Sequence, residues 1–181
     1  MLIETNGYDK VTIRDIAETA GVSIGLIYKY FPGGKFDILK GFSHRYIDKL
    51  FMINQPETVD FNNFPGYVRE VLKNMQKLYK EWNSLIKAMI MAALVGSEIV
   101  DEVQKVDFKD YFKAQSEFFC RFNGVEIGSK DPQEVLMHWW ITVKSIILCD
   151  MIYPFPLKNE EDLTDMMVNL SLKIWDYQKA S

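Results

Sequence analysis

The chain has 181 residues, of which 48% are hydrophobic and 25% charged. It can bury a core without disulfide staples, and it is too apolar for a disordered tail or a low-complexity scaffold. Its net charge of −4 and pI of about 5.3 exclude a chain-wide basic coat, so any nucleic-acid contact must come from a local patch. The two cysteines, Cys120 and Cys149, lie in apolar, helix-like contexts and read as buried thiols of a reducing compartment. No uncharged apolar run reaches the ~18 residues of a membrane span. The opening Met1-Leu2-Ile3-Glu4 lacks the basic and apolar regions of a secretory signal. A cytoplasmic protein without membrane contact is expected.

Ten glycines and six prolines fall in clusters, and strand-like alternation is weak throughout, which predicts an all-α fold. The first helix is expected over 12–20, with Thr12 as cap, Asp15 three residues on, and Ile13, Ile16, Ala17 and Ala20 on one apolar face. Gly21 ends it, and Ser23 caps a second short helix over about 24–31. Pro32-Gly33-Gly34 stops that helix, and a longer one is expected over 35–51. A polar connector over 54–65 then separates two regions of opposite charge: residues 1–50 carry a net +1 and residues 51–181 a net −5. Five more helices are expected, over 64–80, 82–94, 101–122, 132–153 (capped by Asp131, with Pro132 in the first turn) and 159–178. The organisation read from this is a small helix-turn-helix domain over 1–51 and a larger helical domain over 52–181.

The two short helices have the requirements of a helix-turn-helix: small Ala17 at the crossing, Gly21 at the turn, Val22 and Ile27 in the wedge, and Ser23 as cap. The second helix then presents Ile24, Leu26, Lys29 and Tyr30, with Tyr28 beside them. Apolar side chains on that face suit a major groove, where they can touch thymine methyl groups. Thr12-Ile13-Arg14-Asp15-Ile16-Ala17, Ala20-Gly21-Val22-Ser23, Gly25, Tyr28 and Tyr30-Phe31 together resemble the TetR family of transcription regulators, over residues 7–39. Two departures stand out. Only Met1 to Thr5 precede Asn6-Gly7, where the family has a whole amphipathic helix, and Lys35 follows Phe31 by four residues rather than three.

The resemblance implies a double-stranded DNA operator as partner. Thr12 and Arg14 would lie against one phosphate backbone, and Ser23 would cap the inserted helix. Tyr28 and Lys35 would hold phosphates, while Ile24, Gly25, Leu26 and Lys29 would face base edges. A unit with a net charge of only +1 binds DNA poorly alone, so a homodimer on half-sites ~34–36 Å apart is expected. By the same resemblance the last two long helices pair with a second copy, through Trp139, Trp140, Val143, Ile147, Met167, Leu170 and Ile174. Met75, Tyr79, Met89, Met91, Phe112, Phe119 and Met137 come from different helices. They can line an apolar cavity for a small lipophilic effector, with Gln115 as a polar handle, or can equally be plain core. The implied function is a repressor released from its operator by that effector. The competing reading is a small-molecule sensor with a degenerate DNA-binding part.

No enzymatic role, cofactor or metal site is expected. His44 and His138 are far apart, Cys120 has no nearby base, and the acidic group Glu98, Asp101 and Glu102 reads as a solvated helix start.

Overall fold

Thr12 stops the chain from extending helically backwards and starts α1 (Ile13–Ala20). Its Oγ1 accepts the Asp15 N–H at 3.2 Å, and Asp15 Oδ2 accepts the Thr12 N–H at 2.8 Å, a reciprocal capping box. The helix ends in Gly21, left-handed at φ 66°, where Gly21 N donates to Glu18 O and Val22 N to Ala17 O. Ser23 Oγ then accepts the Leu26 N–H at 3.1 Å and opens α2 (Ile24–Tyr30). In this computed structural model the described residues are 2, 6, 10–39, 41, 59–94, 109–157 and 159–178. The remaining helices are α3 (Phe64–Glu81), α4 (Asn83–Leu94), α5 (Lys109–Phe119), α6 (Pro132–Ile152) and α7 (Glu160–Ile174). The fold is all-α. β pairing among the described residues is confined to an isolated bridge between Val125 and Tyr177.

The chain divides into two compact units. One comprises Met1–Met52 and Glu81–Val106, the other Ile53–Lys80 and Asp107–Ser181. The expected division at 51/52 lies one residue from the first boundary, but 81–106 sides with the N-terminal unit instead of the larger domain. The reason is apolar packing: α4 offers Leu85 and Ala88 to Leu39, and Phe36, Trp82 and Met89 close around them. Leu39 belongs to the helical stretch 35–39; apart from Gly41, the rest of the helix expected to 51 lies outside the described residues, as do 101–108, His44 and the Glu98, Asp101 and Glu102 group.

In the second unit α3 buries Phe64, Tyr67, Val68, Val71, Leu72, Met75, Leu78 and Tyr79, the helical spacing its sequence shows. Phe64 and Tyr67 meet Phe118, Phe119 and Phe122 in an aromatic cluster, and Phe119 stacks on Trp175 at 4.8 Å. From α6, Trp139 enters the same core, and its Nε1 donates to Ser171 Oγ of α7 at 2.6 Å. Ser171 Oγ donates onward to Met167 O at 2.7 Å, so both buried polar groups are satisfied. On the outside, Arg69 of α3 bridges Glu161 and Asp165 of α7.

Helix α6 is long and apolar enough to cross a membrane by length and composition alone, but Lys144 and Asp150 interrupt it and it buries Trp139, Val143 and Ile147 in the core of the second unit.

Candidate nucleic-acid interface

Ala17 and Ile27 are buried where α1 and α2 cross, together with Val11 of the same unit. Val22, expected in the wedge, is instead 37% exposed on the rim. Because Ile27 alone of α2 turns inward, the rest of the helix faces out. Ile24 and Leu26 are each 40% exposed, Tyr28 49% and Tyr30 67%, so Ile24 with Tyr28 and Leu26 with Tyr30 flank Gly25 and Lys29 on the two sides of the exposed arc. Lys29 Nζ lies over the Tyr30 ring, 5.7 Å from its centroid, so its charge is held at the helix surface. Thr12 and Arg14 are exposed at the start of α1. Hydrogen bonding from Thr12 holds the Asp15 carboxyl below the usual carboxylate range, so the cap stays ionised.

The residue added after α2 is absorbed in a turn. Gly34 N donates to Phe31 O at 2.8 Å, and Gly34 takes φ 65°, where a β-carbon would lie 3.5 Å from the Tyr28 ring. Asp37 Oδ2 accepts the Gly33 N–H at 2.6 Å. The next helical stretch therefore opens with Lys35, on the first turn after the loop that packs on Tyr28. The geometry is a small helix presented by a rigid turn, with phosphate-suited donors flanking an apolar, base-suited face.

Residues 1–40 match the family profile of bacterial regulatory proteins of the tetR family. That match covers α1, α2 and the turn that follows them. A crystal structure of a TetR family transcriptional regulator, PfmR from Thermus thermophilus, superposes on 99% of this chain and 95% of its own at a TM-score of 0.60, with 14% identity. No curated protein sequence matches the chain significantly. The N-terminal 40 residues thus resemble those of tetR-family regulatory proteins, and the chain as a whole shares the fold of one such regulator. The segment before Gly7, where the family has its first helix, lies largely outside the described residues.

The residues expected to line a ligand cavity separate. Met75, Phe112, Gln115 and Phe119 are buried in the core of the second unit, Met137 is exposed, and Met89 packs in the first unit. The side chain of Met91 lies outside the described residues. Tyr79 borders a cavity of about 300 Å³, whose other walls include Gln76, Asp150, Phe155, Leu157 and Asn159. Reading for methionine and aromatic helix faces missed these. A usable signal was present in Tyr153-Pro154-Phe155-Pro156-Leu157, where alternate apolar residues in a proline-held extended segment share one side.

The expected pairing surface also needs correction. Trp139, Val143, Ile147 and Met167 are buried inside the second unit, and Trp140, Leu170 and Ile174 are half-buried. The apolar residues that α6 turns outward are Met137, Ile141 and Ile152. They lie with half-buried Leu148 in one arc of the helix opposite its buried face, and Met166 is exposed on α7. Lys144 lies midway along that stripe. Desolvation lowers its pKa although the side chain keeps solvent contact. His138 and Cys149 are exposed and Cys120 is half-buried, so the cysteines are not a buried pair. Among the described residues no group of His, Cys, Asp and Glu is arranged to hold a metal ion.

Proposed function

We propose that the protein is a cytoplasmic, homodimeric repressor that leaves a near-palindromic operator when a small lipophilic effector binds its second unit. The observation that carries this reading is the outward face of α2. Ile24, Leu26, Tyr28 and Tyr30 are too apolar for a face that meets only water, and Lys29 sits among them. In a major groove, Ile24 and Leu26 meet thymine methyls and Lys29 meets guanine O6 and N7, while Thr12, Arg14, Tyr28 and Lys35 hold phosphates.

Pairing is supported by the outward stripe of α6, an apolar surface, with Lys144 as its one charge midway, of the kind homodimers cover. Two copies place two α2 helices on one duplex and add their contacts. Coupling between effector and DNA needs only ~1–3 kcal/mol. The covalent route is short. Tyr79 and Lys80 border the cavity, and the chain passes at Glu81 into the stretch that packs on Leu39.

The test is fluorescence anisotropy with DNA from upstream of the protein's own gene. The reading expects specific, salt-sensitive binding by a dimer. Lys29→Ala should weaken the specific complex by ~1–3 kcal/mol and relax specificity at one base position. Lys35→Ala should weaken all sequences alike and flatten the salt slope by about one. Binding that ignores sequence, or a Lys29→Ala protein with unchanged base preference, would count against it.

A further inference from the structure

The link from α2 to the helical stretch 35–39 is Phe31-Pro32-Gly33-Gly34, and its two glycines are there for different reasons. Gly34 is buried and left-handed at φ 65°, against the Tyr28 ring and Ile13, so its backbone asks for glycine. Gly33 is exposed and stays out of the left-handed region, so its backbone admits an L-residue. What a side chain at 33 would meet is Asp37: a β-carbon there would lie 2.6 Å from Oδ1 and 2.8 Å from Cγ. The carboxylate occupies that space because its Oδ2 accepts the Gly33 N–H at 2.6 Å. Glycine at 33 and aspartate at 37 are thus a matched pair.

Two consecutive glycines give the chain great conformational freedom. They also leave the helical stretch without a capping side chain at Gly34, whose carbonyl accepts the Ile38 N–H at 3.2 Å. The turn is held at two points. Gly34 N donates to Phe31 O at 2.8 Å, and the charge-assisted bond from Gly33 to Asp37 ties it to the helix that follows. Tyr28 precedes this turn and Lys35 follows it, so its geometry sets their spacing. Charge alone argues against an acid here. A carboxylate two residues from Lys35 repels a phosphate backbone within the Debye length, about 10 Å at ~0.1 M salt.

We propose that Asp37 is a positioning residue for DNA binding: its carboxylate fixes the Gly33-Gly34 turn and thereby the spacing of Tyr28 and Lys35, and this outweighs its repulsion of the phosphates. The assignment rests on the reading of Tyr28 and Lys35 as phosphate-holding residues.

The experiment is fluorescence anisotropy of the full chain on a labelled mixed-sequence duplex of about 30 base pairs, from about 50 to about 200 mM KCl and well below the melting midpoint. Phosphate contacts are independent of sequence, so a generic duplex serves. Asp37→Ala should bind about three- to tenfold more weakly and flatten the salt slope by about one, as one phosphate contact is lost. Asp37→Asn keeps an acceptor for the Gly33 N–H and drops the charge, so it should bind at least as tightly as the parent chain. Gly33→Ala displaces the carboxylate and should match Asp37→Ala, and the double variant should lose no more than either. Were the carboxylate to act by charge alone, Asp37→Ala and Asp37→Asn would both bind tighter than the parent. Were it only a helix cap, Asp37→Ala would lower the midpoint and leave affinity unchanged. Either result overturns the assignment, as does an additive loss in the double variant. A parent chain that binds no duplex overturns the DNA-binding reading and this assignment with it, whereas parental affinity in Asp37→Ala overturns this assignment alone.

Discussion

Gly21 is the sharpest place to test how the turn between α1 and α2 is built. It sits at φ 66°, ψ 31°, and a β-carbon there would find nothing within 4 Å. Gly21→Ala therefore meets no clash. Its cost is the left-handed backbone alone, about 1–2 kcal/mol for an L-residue. For a chain of this size that lowers the melting midpoint by about 2–8 °C, taking ~2–4 °C per kcal/mol. Gly21→Asn should recover a large part of the loss, because asparagine tolerates that conformation. Gly128→Ala is the internal control: φ is 62° with nothing within 4 Å, but the residue lies in the second unit, so a similar thermal loss should leave DNA contact untouched. The assay is thermal unfolding by circular dichroism with operator anisotropy well below the midpoint. If the turn holds its geometry, Gly21→Ala melts lower and binds DNA with little change. A Gly21→Ala protein as stable as the parent, or an asparagine variant no better than alanine, would refute the strain argument.

Other expectations follow from single contacts. Ser171→Ala strands the Trp139 indole N–H in a dry core and should cost ~1–3 kcal/mol, read as a lower midpoint in the same melts. Ile141→Asp puts a carboxylate on the apolar stripe of α6. Sedimentation should show the dimer shifting to monomer; a dimer that persists would move the interface elsewhere. Asp15 has a lowered carboxyl pKa because Thr12 bonds to its charged form. The cap thus stabilises α1 above the unfolded value of about 3.8, and that contribution is lost as pH falls through the lower folded value. Carboxyl NMR should find Asp15 titrating below 3.8, and Thr12→Ala should raise it; an unchanged value in that variant would deny the cap its role.

Local chemistry was legible in the chain because it acts over a few residues. Thr12 with Asp15, Gly21, Ser23, and Asp131 before Pro132 each satisfy or redirect backbone groups within their own turn, and each stands where its spacing implied. The outward face of α2 was legible for the same reason, since Ile27 alone had to turn inward. Surface and cavity assignments fared differently. Helix α6 is apolar around most of its circumference, so periodicity could not tell Trp139, Val143 and Ile147 from Met137, Ile141 and Ile152 as the inward set. Met89 and Met75 looked alike as soft side chains, yet one packs near Leu39 and the other in the core of the second unit.

From the amino acids alone came the helices, their caps and the αL turn between α1 and α2, because hydrogen bonds and backbone preferences between near neighbours need no distant partner. Which side of α6 is buried, that Glu81–Val106 joins the first unit, and that a proline-held connector roofs a cavity were decided only by the packed chain. Burial of apolar area is non-directional, so its outcome depends on which surfaces, far apart in sequence, reach each other first in space.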